Sequence, residues 1–98
     1  MKTEFSVQAE EDLIEIYLYG VTNFGVEQAE RYHLGLQNAV ELLGTYPSIA
    51  RERAEFTPPI RAHFHESHVI IYTADIVRIF IIRVLGARQD WLRILREH

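Results

Sequence analysis

The sequence predicts an α+β domain of order β-α-α-β-β-β with a short closing helix. A helical hairpin packs on one face of a small, mainly antiparallel sheet. Three observations predict it. Residues 7–46 carry two apolar stripes at three- and four-residue spacing, broken at Asn23-Phe24-Gly25. Residues 60–75 change to strand-like runs with turns at Glu66-Ser67 and Ala74-Asp75. Ile76 to Leu85 is then almost wholly β-branched, aromatic or Leu, which suits a strand covered on both faces.

Lys2 to Ser6 opens the sheet. Ser6 is placed to cap the first helix, and Glu10, Glu11 and Asp12 suit its positive N-terminus. That helix runs from about Val7 to Thr22. Ala9, Leu13, Ile16, Gly20 and Phe24 form its inward stripe, widened by Tyr17, Leu18 and Val21. The second helix spans Val26 to Tyr46, with Ala29, Tyr32, Leu36, Ala39, Val40 and Leu43 inward, and Pro47 stops it. The short connection makes the two an antiparallel hairpin.

Ser48 to Pro59 lacks a period and reads as a loop. From Ile60 to Glu66 the residues alternate, with Ala62 and Phe64 on one face and Arg61, His63 and His65 on the other. His68 to Thr73 is the next strand. Along the last strand, Val77, Ile79, Ile81, Arg83 and Leu85 share one face, and Arg78, Phe80, Ile82 and Val84 the other. Asp90 caps a short helix to Glu97, with Trp91, Ile94 and Leu95 inward. One helical hairpin covers one sheet face, so the second apolar face is expected to meet a partner or another copy.

Residues 1–98 read as one domain. There is no cysteine, so neither a disulfide framework nor a zinc–thiolate site is available. No apolar run approaches a membrane span, and Met1 to Phe5 is not a leader, so a cytoplasmic protein is expected. The net charge of −4 is unevenly spread. Lys2 and Arg31 face eight acids in residues 1–50, a net −6; eight arginines face six acids in 51–98, a net +2. The acidity argues against a general nucleic-acid binder, and the asymmetry suggests surfaces with different partners.

His63, His65 and His68 are the residue type a metal would use. No Cys, Asp or Glu has ligand spacing, and Glu66 falls on the face opposite His63 and His65. They read as solvated or hydrogen-bonded, and no metal or cofactor is expected. A metal-free nuclease would need cations such as Arg61, Arg83 and Arg88, with His63, His65, His68 or Tyr72 for proton transfer. The types are present; a nucleophile elbow or phosphate-cradling glycine loop is not.

The chain resembles the ParE toxins of the RelE/ParE superfamily over nearly its full length. The resemblance rests on Asp12-Leu13, Ile16 and Tyr19, then Phe24-Gly25, Ala29, Tyr32 and Leu36. It continues through Pro47 with Arg51, Arg61, His68-Val69-Ile70-Ile71-Tyr72, and Ile81-Ile82-Arg83-Val84-Leu85-Gly86-Ala87-Arg88 with Asp90. Two departures stand out. Ala50-Arg51 replaces the Gly-Arg of many relatives, and Gly86-Ala87-Arg88 replaces their His-x-Arg, which removes an acid/base histidine.

The resemblance implies the RelE/ParE-like fold and a bacterial toxin of a type II toxin–antitoxin system, of the kind linked to plasmid stabilisation. It implies inhibition of DNA gyrase and neutralisation by a ParD-type, ribbon-helix-helix antitoxin in a hetero-oligomer. Operator DNA is then met only through the antitoxin. Ribosome-dependent mRNA cleavage of the RelE type, or a non-toxic protein-binding module, are the alternatives. The expected role is a protein-binding poison rather than an enzyme, with no catalytic residue assigned.

The candidates for the groove shared by target and antitoxin are Arg61, Arg83, Arg88, Trp91, Arg93 and Arg96. Leu13, Ile16 and Tyr17 are the candidate antitoxin contacts. Arg83 has two readings. It pairs with an internal carboxylate such as Asp90 or Glu66, or snorkels to the sheet rim; or it faces an external anion beside Arg88, joined by Arg61 from the neighbouring strand.

Overall fold

The computed structural model describes residues 2–97; Met1 and His98, which the one-domain and leader readings included, lie outside the described residues. The elements are β1 (Lys2–Phe5), α1 (Val7–Phe24), α2 (Val26–Thr45), a 3₁₀ turn (Pro47–Ile49), β2 (Glu52–Arg53), β3 (Ile60–His65), β4 (His68–Ala74), β5 (Arg78–Gly86) and α3 (Trp91–Arg96). They form the α+β arrangement expected, with one five-stranded sheet in the order β1-β5-β4-β3-β2. β1 runs parallel to β5, and the other pairs are antiparallel.

Ser6 starts α1 as expected. Its hydroxyl accepts from the Ala9 N–H at 2.9 Å and donates to the Ile82 carbonyl at 2.6 Å, so the cap also pins the helix start to β5. Gly25 separates the helices at φ 93°, a conformation that disfavours a Cβ. Gly20 lets them approach: a Cβ there would sit 3.2 Å from Ala29 Cβ. Leu18 and Phe24, expected inward, are exposed. Leu18 lies on the back of α1, and Phe24 sits at the hairpin tip, edge-on to Tyr19.

Leu36, Leu43, Ile70, Tyr72, Ile79 and Ile81 form the core between hairpin and sheet. The other sheet face is not left open, contrary to the sequence expectation. Val69, Ile71 and Leu85 are buried there beneath Trp91 of α3, with Phe56 of the β2–β3 loop packed alongside. A six-residue helix suffices because Trp91, only 8% exposed, supplies a large apolar surface at the centre.

β5 departs from strict alternation. Ile71 pairs with Arg83 but Tyr72 pairs with Ile81, which leaves Ile82 as an extra residue in a bulge. One extra residue exchanges the faces beyond it. Val84 therefore joins Ile79 and Ile81 on the hairpin side, and Leu85 faces α3, the reverse of the expected assignment.

β5 also starts later than Ile76. Asp75 Oδ1 accepts from the N–H groups of Val77 and Arg78 at 2.9 Å each, an Asx-type turn that holds Ile76 and Val77 at the tip, 93% and 70% exposed. The expected 48–59 loop contains the 3₁₀ turn and the two-residue β2.

Candidate functional site

The hairpin tip overhangs the sheet end and leaves a groove of about 750 Å³. Its walls come from α1, α2, the β3–β4 turn, the end of β5 and α3, and include Ile16, Tyr17, Tyr19, Tyr32, His68 and Arg83.

Asp12 organises its inner wall. Arg83 donates to it in a two-point fork, Nε to Oδ2 at 2.8 Å and one terminal guanidinium nitrogen to Oδ1 at 3.0 Å. The Val84 N–H also donates to Oδ2, at 2.9 Å. Hydrogen bonding to Asp12 raises the Arg83 pKa and keeps the guanidinium charged. The internal partner of Arg83 is therefore Asp12 rather than Asp90 or Glu66.

Tyr32 crosses from α2 to the β3–β4 turn. Its hydroxyl lies 2.6 Å from His68 Nδ1 and 3.4 Å from the His65 carbonyl. The single hydroxyl proton serves one acceptor at a time, and the shorter contact is the stronger. Burial pushes Tyr32 up and His68 down, favouring the neutral form of each. Burial lowers His63 likewise.

His65 Nε2 is buried and has no aligned hydrogen bond. The Glu66 carboxylate is 3.3 Å away, within ion-pair range. Glu66 was expected on the opposite face. It sits at φ 50° in the turn, where the strand's alternation has ended. Gly35 makes room for this ring, since a Cβ there would be 3.2 Å from His65 Nε2. Among the described residues no group of three or more His, Asp or Glu could hold a metal ion.

The cationic candidates do not converge. Arg61 is not next to β5, because β4 lies between; it donates to the Ala50 carbonyl beyond the end of α2. Arg88 is exposed in the turn after β5, with no hydrogen bond or ion pair recorded among the described residues. Trp91, Arg93 and Arg96 belong to α3 on the other sheet face. There Arg53 stacks 5.1 Å over Trp91 and Arg96 5.4 Å over Phe56. Arg93 lies 3.8 Å from both Asp90 and Glu97. Of the apolar candidates, Leu13 and Ile16 pack on the hairpin core, while Tyr17 meets His33 edge-on at 6.1 Å. Ile16 and Tyr17 also line the groove.

Three parts of this site were not foreseen: the Asp12 clamp, the Tyr32–His68 contact and the Gly35 recess. Asp12 had a signal. It is an acid lying three residues after Ala9 and four before Ile16, within an otherwise apolar inward stripe. The other two depend on strand placement.

Residues 3–91 match the family profile described as "ParE toxin of type II toxin-antitoxin system, parDE". "Toxin ParE1" of Caulobacter vibrioides is 35% identical over 80 residues, covering 82% of each chain. "Toxin ParE1" of Mycobacterium tuberculosis is 34% identical over 86 residues, 87% of this chain and 88% of the relative. A solved structure titled "Chromosomal ParDE TA system from P. aeruginosa" shares the fold, with a TM-score of 0.75 and 22% identity over 88% of this chain and 95% of that one.

Proposed function

The chain belongs to the ParE toxin family of type II toxin–antitoxin systems, and on that footing we propose that it is a DNA gyrase poison held inactive by a ParD-type antitoxin. The poison acts in the bacterial cytoplasm by binding gyrase. Its antitoxin, a ribbon-helix-helix protein, carries the contact to operator DNA.

The state of the cationic groups carries the choice of target. Cleaving RNA without a metal needs cations gathered on one phosphate and an acid/base pair beside them. Here Arg83 is clamped by Asp12, and Arg61 is bound to the Ala50 carbonyl. Arg93 and Arg96 ride on α3 across the sheet. Tyr32 and His68 are engaged with each other. That arrangement supports a surface that binds protein better than one that cleaves a phosphodiester.

In this reading Arg88, Arg93 and Arg96 meet carboxylates of the target or antitoxin, with Trp91 holding the α3 surface beneath, while Arg61 braces the hairpin side of the sheet through the Ala50 carbonyl. Ile16 and Tyr17 contact the antitoxin from the groove, and Leu13 supports them from the core. The test is a purified reaction of gyrase, supercoiled plasmid and this chain. The expected result is linear DNA released by detergent and protease. Uncut, normally processed plasmid at saturating toxin overturns the proposal.

A further inference from the structure

The groove beneath the hairpin tip differs in charge from the arginine-bearing α3 face. Four ionised side chains line it: Asp12, Glu15, Glu66 and Arg83. Arg83 spends its Nε and one terminal nitrogen on the Asp12 fork, so its one positive charge stands against three carboxylates. Glu15 has no ion pair recorded among the described residues, and Glu66 has only the His65 ring within reach. The groove therefore presents uncompensated negative charge. Around it stand aromatic rings, with Tyr19 and Phe24 packed edge-on at 6.3 Å and Tyr17 against His33. Such rings attract a cation over their faces and repel an anion. An acidic segment would meet two carboxylates and the negative faces of the rings. An arginine or lysine would lay an apolar stem along the tyrosines and bring its charge to Glu15 and Glu66. The opening, about 750 Å³, has room for a segment of chain around that residue.

We infer that this groove receives an apolar segment of the antitoxin that carries a cationic side chain, anchored by Glu15 and Glu66 and by the Tyr17, Tyr19 and Phe24 rings. The inference rests on the reading that an antitoxin covers the chain. The two sides of the toxin then select opposite charges, cationic in the groove and acidic against α3, which fixes the direction in which the antitoxin lies.

The test titrates the whole chain with two labelled synthetic peptides of equal length, identical in their leucines. One carries central arginines and the other glutamates. The arginine peptide is expected to bind about tenfold tighter at low salt, and the double variant Glu15→Lys/Glu66→Lys to reverse the order. Glu15→Gln/Glu66→Gln, which should abolish the preference, keeps the test valid if charge reversal disturbs folding. Equal binding of the two peptides, binding of neither, or an unchanged preference in the variants overturns the inference. Dimerisation of the chain through the groove in place of peptide binding also overturns it. In parallel, the purified product of the adjoining gene is titrated against wild type and variant. A complex indifferent to the charge reversal overturns the groove inference alone. No complex, with the arginine preference intact, counts against the antitoxin reading while leaving the groove's charge preference standing.

Discussion

Arg83 and Asp12, separated by 71 positions in sequence, meet in a two-point fork that ties the second turn of α1 to the bulged end of β5. Their side chains are only 15% and 11% exposed. Removing one partner strands the other in a poorly hydrated site. Asp12→Ala or Arg83→Ala should lower unfolding stability by about 3 kcal/mol, read by urea denaturation. Asp12→Asn can still accept from Val84 and should lose less. A loss of toxicity in Arg83→Ala therefore counts toward a binding role only after stability is restored or matched.

Arg88 gives the contrasting case. It is exposed, so Arg88→Ala should leave the melting temperature within about 2–4 °C, because surface substitutions of this kind change stability by no more than about 0.5 kcal/mol. Toxicity should fall in this stable variant, scored by colony counts after induction. Undiminished killing would remove Arg88 from the target surface.

Trp91 should act through packing. Trp91→Ala removes the ring that covers Val69, Ile71 and Leu85 and should cost about 3–5 kcal/mol. Hydrogen exchange should then rise in β4 and β5 together. A stable variant with native exchange would mean that this sheet face needs no cover.

Acid should weaken the fold through His68 and His63. Burial depresses both pKa values in the folded state, so the unfolded chain takes up protons first. Their neutral-state stability is intact above the unfolded value of about 6.5 and is lost as pH falls from there toward the folded values. The melting temperature should decline between about pH 7 and pH 5, with a shallower slope in His68→Gln. An identical slope in that variant would remove His68 from the linkage.

Much of the fold was legible because local signals agreed with one another. Ser6 and Asp90 are caps in sequence and in structure. Gly25 divides the hairpin, and the apolar periods place Leu36, Leu43, Ile79 and Ile81 in the core. The bulge at Ile82 carries no local signal, because the run around it is apolar on both faces. Its effect on Val84 and Leu85 was invisible for that reason. The cover on the second sheet face was missed because a six-residue helix promises little burial by period alone. Within the site, Ile16 and Tyr17, named from the apolar stripe and the family resemblance, and Arg83, named as a cation in an apolar strand, line the groove. Arg61, Arg88, Trp91, Arg93 and Arg96 do not join them there, although Ile94 of α3 reaches the groove wall: β4 separates Arg61 from β5, and Trp91 lies across the sheet. Tyr32 was read as packing and His68 as solvated or hydrogen-bonded; the hydrogen-bonded reading holds, but its partner was not legible. Their contact exists only once α2 lies over the β3–β4 turn.

Induced expression without antitoxin, followed in the same cells by recovery of gyrase–DNA adducts and by mapping of mRNA ends, tests the proposed target most directly. Gyrase covalently trapped on DNA, with a DNA-damage response and intact messages, is the expected result. Ribosome-dependent mRNA cuts with gyrase free of DNA would contradict it.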